Sequence, residues 1–112
     1  MKKIEAIIRS QKLESVREAL LEADLDGLTV MEVRVSEGKK GHLELYRGTE
    51  YKISLLSKAK IEIIVGDDDL DLAIETITEA AKTGAADDGK IFISTIDEAI
   101  HIRSEETAVS AL

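Results

Sequence analysis

The sequence has 112 residues, with 44% hydrophobic and 34% charged side chains, which fits one folded domain and excludes the apolar-poor composition of disordered chains. Its formal net charge of −8 at pH 7 argues against a broad binding surface for nucleic acid or for an anionic membrane. Because cysteine is absent, disulfides, thiolate metal sites and thiol nucleophiles are excluded.

The first part of the chain has the pattern of a strand, a helix and a second strand. Alternating apolar residues predict a strand over residues 2 to 9, with Ile7 adding an apolar position on the second face. From Leu13 the apolar residues recur at three- and four-residue steps, which predicts an amphipathic helix ending near Gly27. Residues 29 to 35 alternate again. The opening segment is too poor in apolar residues for a signal-peptide core or a bilayer span, so we expect a cytoplasmic protein without direct membrane insertion.

The same pattern returns in the second half. Residues 60 to 65 predict a strand, and a helical stripe of apolar residues follows from Leu70 to Ala81. We expect the three carboxylates of residues 67–69 to supply capping oxygens to that helix. Residues 90 to 96 complete a second unit of strand, helix and strand.

Two such halves predict a particular fold. The motif Lys3-Ile4-Glu5 recurs as Lys60-Ile61-Glu62 at the corresponding place in the second half. Right-handed crossovers would put both helices on one face of a four-stranded antiparallel sheet, the α+β, ferredoxin-like double βαβ arrangement. Apolar positions on both strand faces predict cover from other subunits. We treat residues 1–112 as a single domain, in which residues 97–112 add a short helical turn and a short strand before a loose end.

The connection between the halves, residues 36–59, is the first candidate for function. Structureless connections longer than about 12 to 15 residues are usually functional. This one is rich in lysine and holds two of the three aromatic residues, Tyr46 and Tyr51. A phenol on a loop tip can be inserted into a partner or presented to a modifying enzyme. A β-hairpin extension with solvated charges is the alternative interpretation.

A second candidate is the turn over residues 83–90, where small residues lead to Lys90. Glycine lets backbone N–H groups approach an anion, and a lysine supplies charge for phosphate oxygens. The spacing is not that of a Walker loop, and Asp87 and Asp88 add negative charge, so a simple helix stop is favoured by spacing alone. The histidines define no metal site and the serines have no nucleophile setting, so we expect neither metal ligands nor catalytic residues.

Together these segments resemble the PII family of trimeric nitrogen-regulatory signal proteins over nearly the whole chain. The most specific match is Tyr46-Arg47-Gly48-Thr49-Glu50-Tyr51, within a long loop between two βαβ halves. Further matches are Met1 to Arg9, Lys58 to Ile63, Thr83-Gly84, Asp88 to Phe92 and Ile102-Arg103. The resemblance implies a ferredoxin-like subunit in a homotrimer that acts as a regulator and not as an enzyme.

The resemblance also implies what the chain binds. ATP or ADP would lie in clefts between subunits, with Lys90 and Arg103 on the phosphates and Lys58 facing the 2-oxoglutarate that many members bind with Mg²⁺. The implied nucleotide-site residues are Thr29, Gly38, Lys39, Glu62, Ile64, Asp88, Gly89, Lys90, His101 and Arg103.

The long loop, called the T-loop in this family, would dock a regulated partner such as an ammonium transporter or a nitrogen-assimilation enzyme. The implied contact residues are Tyr46, Arg47, Thr49 and Tyr51. Tyr51 matches a tyrosine that is uridylylated or adenylylated in some bacteria.

The chain departs from the family pattern at the ligand site. The family commonly has Gly-Arg-Gln-Lys-Gly where Gly38-Lys39-Lys40-Gly41 stands here. A protonated lysine cannot replace the metal-ligating glutamine. A usual glycine is replaced by Asp87 and a usual arginine by His101. These changes predict little preference for ATP over ADP, and weak or absent binding of Mg²⁺ and 2-oxoglutarate.

We therefore interpret the chain as a PII-like signal protein that senses adenine nucleotide or metabolite status and regulates a transporter or enzyme of nitrogen metabolism. One alternative is a PII-like sensor of ADP, AMP or another small anion that serves a non-nitrogen pathway. A ferredoxin-like enzyme of the acylphosphatase kind would need an arginine-bearing, glycine-rich turn where Ser10-Gln11-Lys12 stands. An RNA-binding sheet is disfavoured by the net charge of −8 and by the lack of exposed strand aromatics.

Overall fold

The computed structural model describes residues 1–36 and 55–112, and these residues form one sheet with two α-helices on one of its faces. In chain order the elements are β1 (Lys2–Arg9), α1 (Leu13–Glu22), β2 (Thr29–Ser36), β3 (Leu55–Val65), α2 (Leu70–Ala81) and β4 (Gly89–Thr95). The strand order is β2-β3-β1-β4, and each neighbouring pair is antiparallel. The predicted α+β, ferredoxin-like arrangement is confirmed. None of the described helices is long and apolar enough to cross a membrane.

The core lies between the two helices and the sheet. Its residues come from alternate positions of the central strands β1 and β3 and from one stripe of each helix; they include Ile4, Ala6, Ile8, Val16, Leu20, Ala59, Ile61, Ile63, Ala73 and Ile77. Burying one large aliphatic side chain contributes about 1.5 to 3 kcal/mol. The strand register is therefore strongly specified, because a slip by one residue would turn this whole set away from the helices.

The opposite face of the sheet carries charged side chains at its centre. Lys3, Glu5, Lys60 and Glu62 form an ionic cluster with N to O distances from 3.2 to 3.7 Å. The ammonium groups of Lys3 and Lys60 lower the pKa of Glu5, whose carboxylate in turn raises the pKa of Lys60. No described helix packs on this face, and its coverage by other subunits stays a prediction.

The long connection between the halves is shorter in the structure than the predicted residues 36–59. β2 includes Ser36 and β3 begins at Leu55, and these two residues are partners in the register. Lys58 and Ala59 therefore belong to a strand. The sequence pattern did not reveal this strand end. Neighbouring residues of a strand lie on opposite sheet faces, so the charged Lys58 beside Ala59 interrupts the apolar run.

Part of the predicted site falls outside the described residues. This applies to the segment 37–54 and to the predicted residues within it, which are Gly38, Lys39, Tyr46, Arg47, Thr49 and Tyr51. Their proposed roles remain predictions.

The start of α2 differs from the expected cap. Residues Asp67–Asp69 form a 3-10 turn ahead of the helix, and no side-chain cap hydrogen bond is made at Asp69. The Asp67 carboxylate instead accepts a hydrogen bond of 2.9 Å from the N-terminal ammonium group of Met1, which lowers the pKa of Asp67. A cationic donor outcompetes a neutral backbone amide for this carboxylate.

The C-terminal segment has more structure than the predicted loose end. Ile100 and Thr107 pair in an isolated antiparallel bridge, and a 3-10 turn covers Ala108–Ala111. The single bridge stands in place of the predicted short strand. Leu112 then lies against the sheet, where it lines a cavity beside β2 and β3.

Candidate functional site

The turn between α2 and β4 is organised by Asp88. Its carboxylate accepts hydrogen bonds from the backbone N–H groups of Thr83 and Gly84, at 2.8 and 2.9 Å, and from the Thr83 hydroxyl. Arg9 Nε donates to the same carboxylate at 3.3 Å. These donors, the Thr83 hydroxyl foremost, lower the pKa of Asp88 to about 2. The sequence predicted that backbone N–H groups of this turn could bind an anion. The N–H groups of Thr83 and Gly84 instead donate to the protein's own Asp88 carboxylate.

Gly89 fixes where β4 begins. It has a φ of +126°, a conformation that residues with a Cβ rarely adopt. A Cβ atom at this position would lie 1.9 Å from the carbonyl oxygen of Ile7 in β1. The close approach of the two backbones therefore requires glycine, and it places Lys90 at the edge of the sheet.

A cleft of about 320 Å³ opens between the turn and the sheet. The residues that line it include Ile7, Val35, Lys58, Asp87, Gly89, Lys90 and Phe92. The Lys58 side chain is only 8% exposed, whereas Lys90 is exposed. Apolar walls with a few convergent charges suit a ligand that joins an apolar ring to an anionic group.

The cleft also contains a carboxylate of its own. Asp87 forms an ion pair with the guanidinium of Arg9. Its Oδ2 atom lies 3.9 Å from Lys58 Nζ, and Lys58 donates to the Asp87 carbonyl oxygen at 3.1 Å. Two cations beside the cleft are therefore already paired within the chain.

Three of the other predicted nucleotide residues gather in a different cavity, of about 170 Å³. Thr29, Glu62 and Ile64 all line it, and Leu112 closes one side. The edge strand β2 contributes to this cavity, while Lys90 lies on the opposite edge strand, β4. A single chain thus presents the two halves of the predicted site in separate places.

The predicted tail residues line neither of these cavities. His101 Nδ1 accepts a hydrogen bond of 3.3 Å from the backbone N–H of Ser104, so this histidine holds a local turn. Arg103 is exposed. The place of His101 in the nucleotide site and the phosphate contact of Arg103 remain predictions.

Sequence reasoning missed Arg9 and Leu112, and it named Asp87 as a negative charge without identifying its partners. Arg9 stands opposite Lys58 in the register of β1 and β3, and two adjacent cations signal a need for a counter-ion, although the sequence does not say which one. Asp87 meets this need through a turn that is distant along the chain. No pattern in the sequence indicated that Leu112 would line a cavity. The described residues contain no group of three or more His, Asp or Glu side chains placed to hold a metal ion.

Replacing Asp88 with asparagine is expected to lower the melting temperature at neutral pH, because the charged acceptor of the turn is lost. The folded pKa of about 2 lies below the value near 4 of an unfolded aspartate, so this stabilisation is complete above about pH 5 and disappears as the pH falls through the folded value. The melting difference between the native protein and Asp88→Asn should therefore shrink on acidification. Thermal unfolding followed by circular dichroism measures it.

Asp97→Asn is the matched control, because Asp97 is an exposed carboxylate that lies outside the helices and strands. It should change the melting temperature little at any pH. A melting difference for Asp88→Asn that stays constant down to about pH 2 would contradict the assigned role of the carboxylate.

The topology defines a ferredoxin-like α+β protein, and its cleft combines apolar walls with the charged side chains of Lys58, Asp87 and Lys90. Comparison with known proteins is more specific. The family model described as Nitrogen regulatory protein P-II matches residues 1–106. Nitrogen regulatory protein P-II of Mesorhizobium japonicum is 54% identical over 112 residues, which cover 100% of both chains. Nitrogen regulatory protein P-II 2 of Methanothermobacter thermautotrophicus is 51% identical, over 100% of this chain and 97% of its own.

The chain therefore belongs to the nitrogen regulatory protein P-II family, a family of nitrogen signal-transduction regulators. The resemblance drawn from the T-loop motif and the two βαβ halves is confirmed. The named relatives are regulatory proteins.

Proposed function

We propose that this chain binds an adenine nucleotide and reports the nucleotide state to a partner through the long connection between β2 and β3. Membership in the P-II family carries the proposal. The cleft beside β4 supports it, because apolar walls next to Lys58 and Lys90 suit a ring joined to phosphates. In this role the protein catalyses no reaction, and its partner is a transporter or an enzyme of nitrogen metabolism.

We propose further that the working form is a homotrimer. Thr29, Glu62 and Ile64 line one cavity, whereas Gly89 and Lys90 line another. A nucleotide that contacts both groups would lie between two subunits, each of which supplies one half of the site. The sheet face opposite the helices, where no described helix packs, supports the same assembly.

For the effector, the structure favours a ligand of modest charge. Asp87 already neutralises cations beside the cleft, so we propose that ADP binds nearly as well as ATP. AMP or another small anion is the second candidate, on the same observation.

We propose that Mg²⁺ and 2-oxoglutarate bind weakly or not at all. Lys58, the residue expected to face the dicarboxylate, lies 3.9 Å from the carboxylate of Asp87. An ammonium at Lys39 in place of a glutamine oxygen is a poor metal ligand. Both features act against a metal-bridged dicarboxylate.

The test of the proposed function is the loss of nucleotide binding when the charge at position 90 is removed. Lys90→Met keeps an apolar stem and is expected to weaken ADP binding at least about tenfold, or 1.4 kcal/mol. Calorimetric titration with ADP and ATP measures this, and native affinities for the two should differ by less than about tenfold. Arg17→Met is the control, because it removes a positive charge from the exposed surface of α1.

Light scattering on the same samples tests the assembly. The expected mass is that of three subunits of 12.3 kDa. Equal ADP affinity in Lys90→Met and the native protein would contradict the phosphate site, and a single-subunit mass would contradict the shared site.

A further inference from the structure

The ion pairs around Asp87 link three segments that are distant in sequence. Arg9 ends β1, Lys58 lies in β3, and Asp87 belongs to the turn before β4. The Asp87 carboxylate pairs with the Arg9 guanidinium and approaches the Lys58 ammonium group to 3.9 Å. The guanidinium of Arg9 also reaches Asp88, through its Nε atom.

The two aspartates have different surroundings. The Asp88 carboxylate accepts hydrogen bonds from Thr83 and Gly84, so it holds the turn together. The Asp87 carboxylate makes contact with cationic side chains, and its side chain is 41% exposed. Because the turn is held by Asp88, the Asp87 carboxylate is not needed to shape it, and it is free to be displaced by a ligand.

The position of Asp87 sets the charge that a ligand encounters. Lys58 is a nearly buried cation in the cleft wall, where an ammonium group requires a counter-ion. Within the described part of the chain, Asp87 supplies that negative charge. A phosphate or carboxylate oxygen that approaches Lys58 competes with Asp87 and is also repelled by it.

We infer that Asp87 is the specificity-determining residue of this cleft, an internal counter-ion that anionic ligands must displace from Arg9 and Lys58. This inference rests on the proposed function, whose ligand class it narrows. The cleft then discriminates against the ligands with the most negative charge. Removal of the Asp87 carboxylate strengthens binding in proportion to the negative charge of the ligand.

The test is calorimetric titration of the full-length protein with three probes. Inorganic tripolyphosphate carries the charge without the nucleoside, adenosine carries the nucleoside without the charge, and ATP carries both. Asp87→Asn keeps the side-chain size and removes the charge, and Asp87→Gly removes the side chain. Glu75→Gln is the matched control, because it removes a carboxylate from the exposed surface of α2.

In Asp87→Asn the affinity for tripolyphosphate and for ATP is expected to rise at least about tenfold, or 1.4 kcal/mol. Adenosine affinity should be unchanged, and Glu75→Gln should match the native protein with every probe. Raising the salt from about 0.1 M to 1 M should reduce the difference in tripolyphosphate and ATP affinity between Asp87→Asn and the native protein, because screening weakens both the ion pairs and the repulsion. A purely structural role of Asp87 would alter the binding of adenosine as well.

The outcomes separate this inference from the proposed function. Nucleotide binding that is equal in the native protein and in both Asp87 variants would overturn the inference and leave the proposed function standing. A gain for tripolyphosphate in a protein that binds neither ATP nor ADP would support the inference and contradict the proposed function. Loss of binding in folded Asp87→Asn and Asp87→Gly, beside a native protein that binds ATP, would overturn the inference alone. Failure of the native protein and of both variants to bind any of the probes, with native melting profiles, would overturn both.

Discussion

Replacing Gly89 with alanine is expected to destabilise the protein by about 3 kcal/mol or more, the largest effect of any substitution in the turn. The added Cβ atom would lie 1.9 Å from the carbonyl oxygen of Ile7, which is far inside contact distance. To relieve this contact β4 must move away from β1, and the ladder that positions Lys90 would be lost with it. Urea unfolding at a fixed protein concentration measures the loss of stability, because the stability of an oligomer depends on concentration.

Gly84→Ala is the control that separates the steric clash of an added Cβ atom from the conformational cost of a positive φ. Gly84 also has a positive φ, of +90°, but a Cβ there would meet no atom within 4 Å. Its replacement should cost only the conformational penalty of about 1 to 2 kcal/mol. Equal losses in the two variants would show that the approach of β4 to β1 does not depend on glycine.

Replacing Ile61 with alanine is expected to cost about 2 to 5 kcal/mol, because it removes a large side chain from a fully packed core. Ile61 is 0% exposed and lies in the central strand β3, opposite Ala6 of β1. The alanine at position 6 cannot fill the space that the substitution leaves. The same urea unfolding measures the change.

Ile102→Ala is the matched control, since it removes the same atoms from a side chain that is 97% exposed. Its effect on the subunit should stay within about 0.5 kcal/mol, as is usual for surface positions. A loss at position 102 as large as that at position 61 would mean that the tail is buried in the assembled protein and contributes to its stability.

The site residues fall into two groups, one whose contacts lie within a single chain and one whose proposed ligand contacts require a second subunit. Gly89 and Asp88 have roles that a single chain explains completely, because the contacts they make lie within the turn and β1. Thr29 and Lys90 lie on opposite edge strands, and no contact among residues 1–36 and 55–112 of one chain joins them. Substitutions of the first kind should change stability, whereas those of the second kind should change binding.

Much of the fold was determined by local patterns in the sequence. Alternation at Ile4, Ala6 and Ile8, and the helical spacing of Val16 and Leu20, correctly predicted the buried faces. These patterns are reliable because each strand and helix must bury one side, and the period of the element determines which residues lie there. The T-loop motif and the repeated halves likewise identified the family that the comparisons show.

Only the tertiary structure decided the chemistry of the cleft. The sequence marked Asp87 as a charge opposed to phosphate, but it did not show that Arg9 and Lys58 would pair with it. It also did not show that Leu112 would line the cavity with Thr29. Such contacts join residues from distant parts of the chain, and they form only when the β1, β3 and β4 register and the path of the tail are set. Local spacing carries no information about which distant charge will neutralise which, because that depends on how the completed sheet brings its strand ends together.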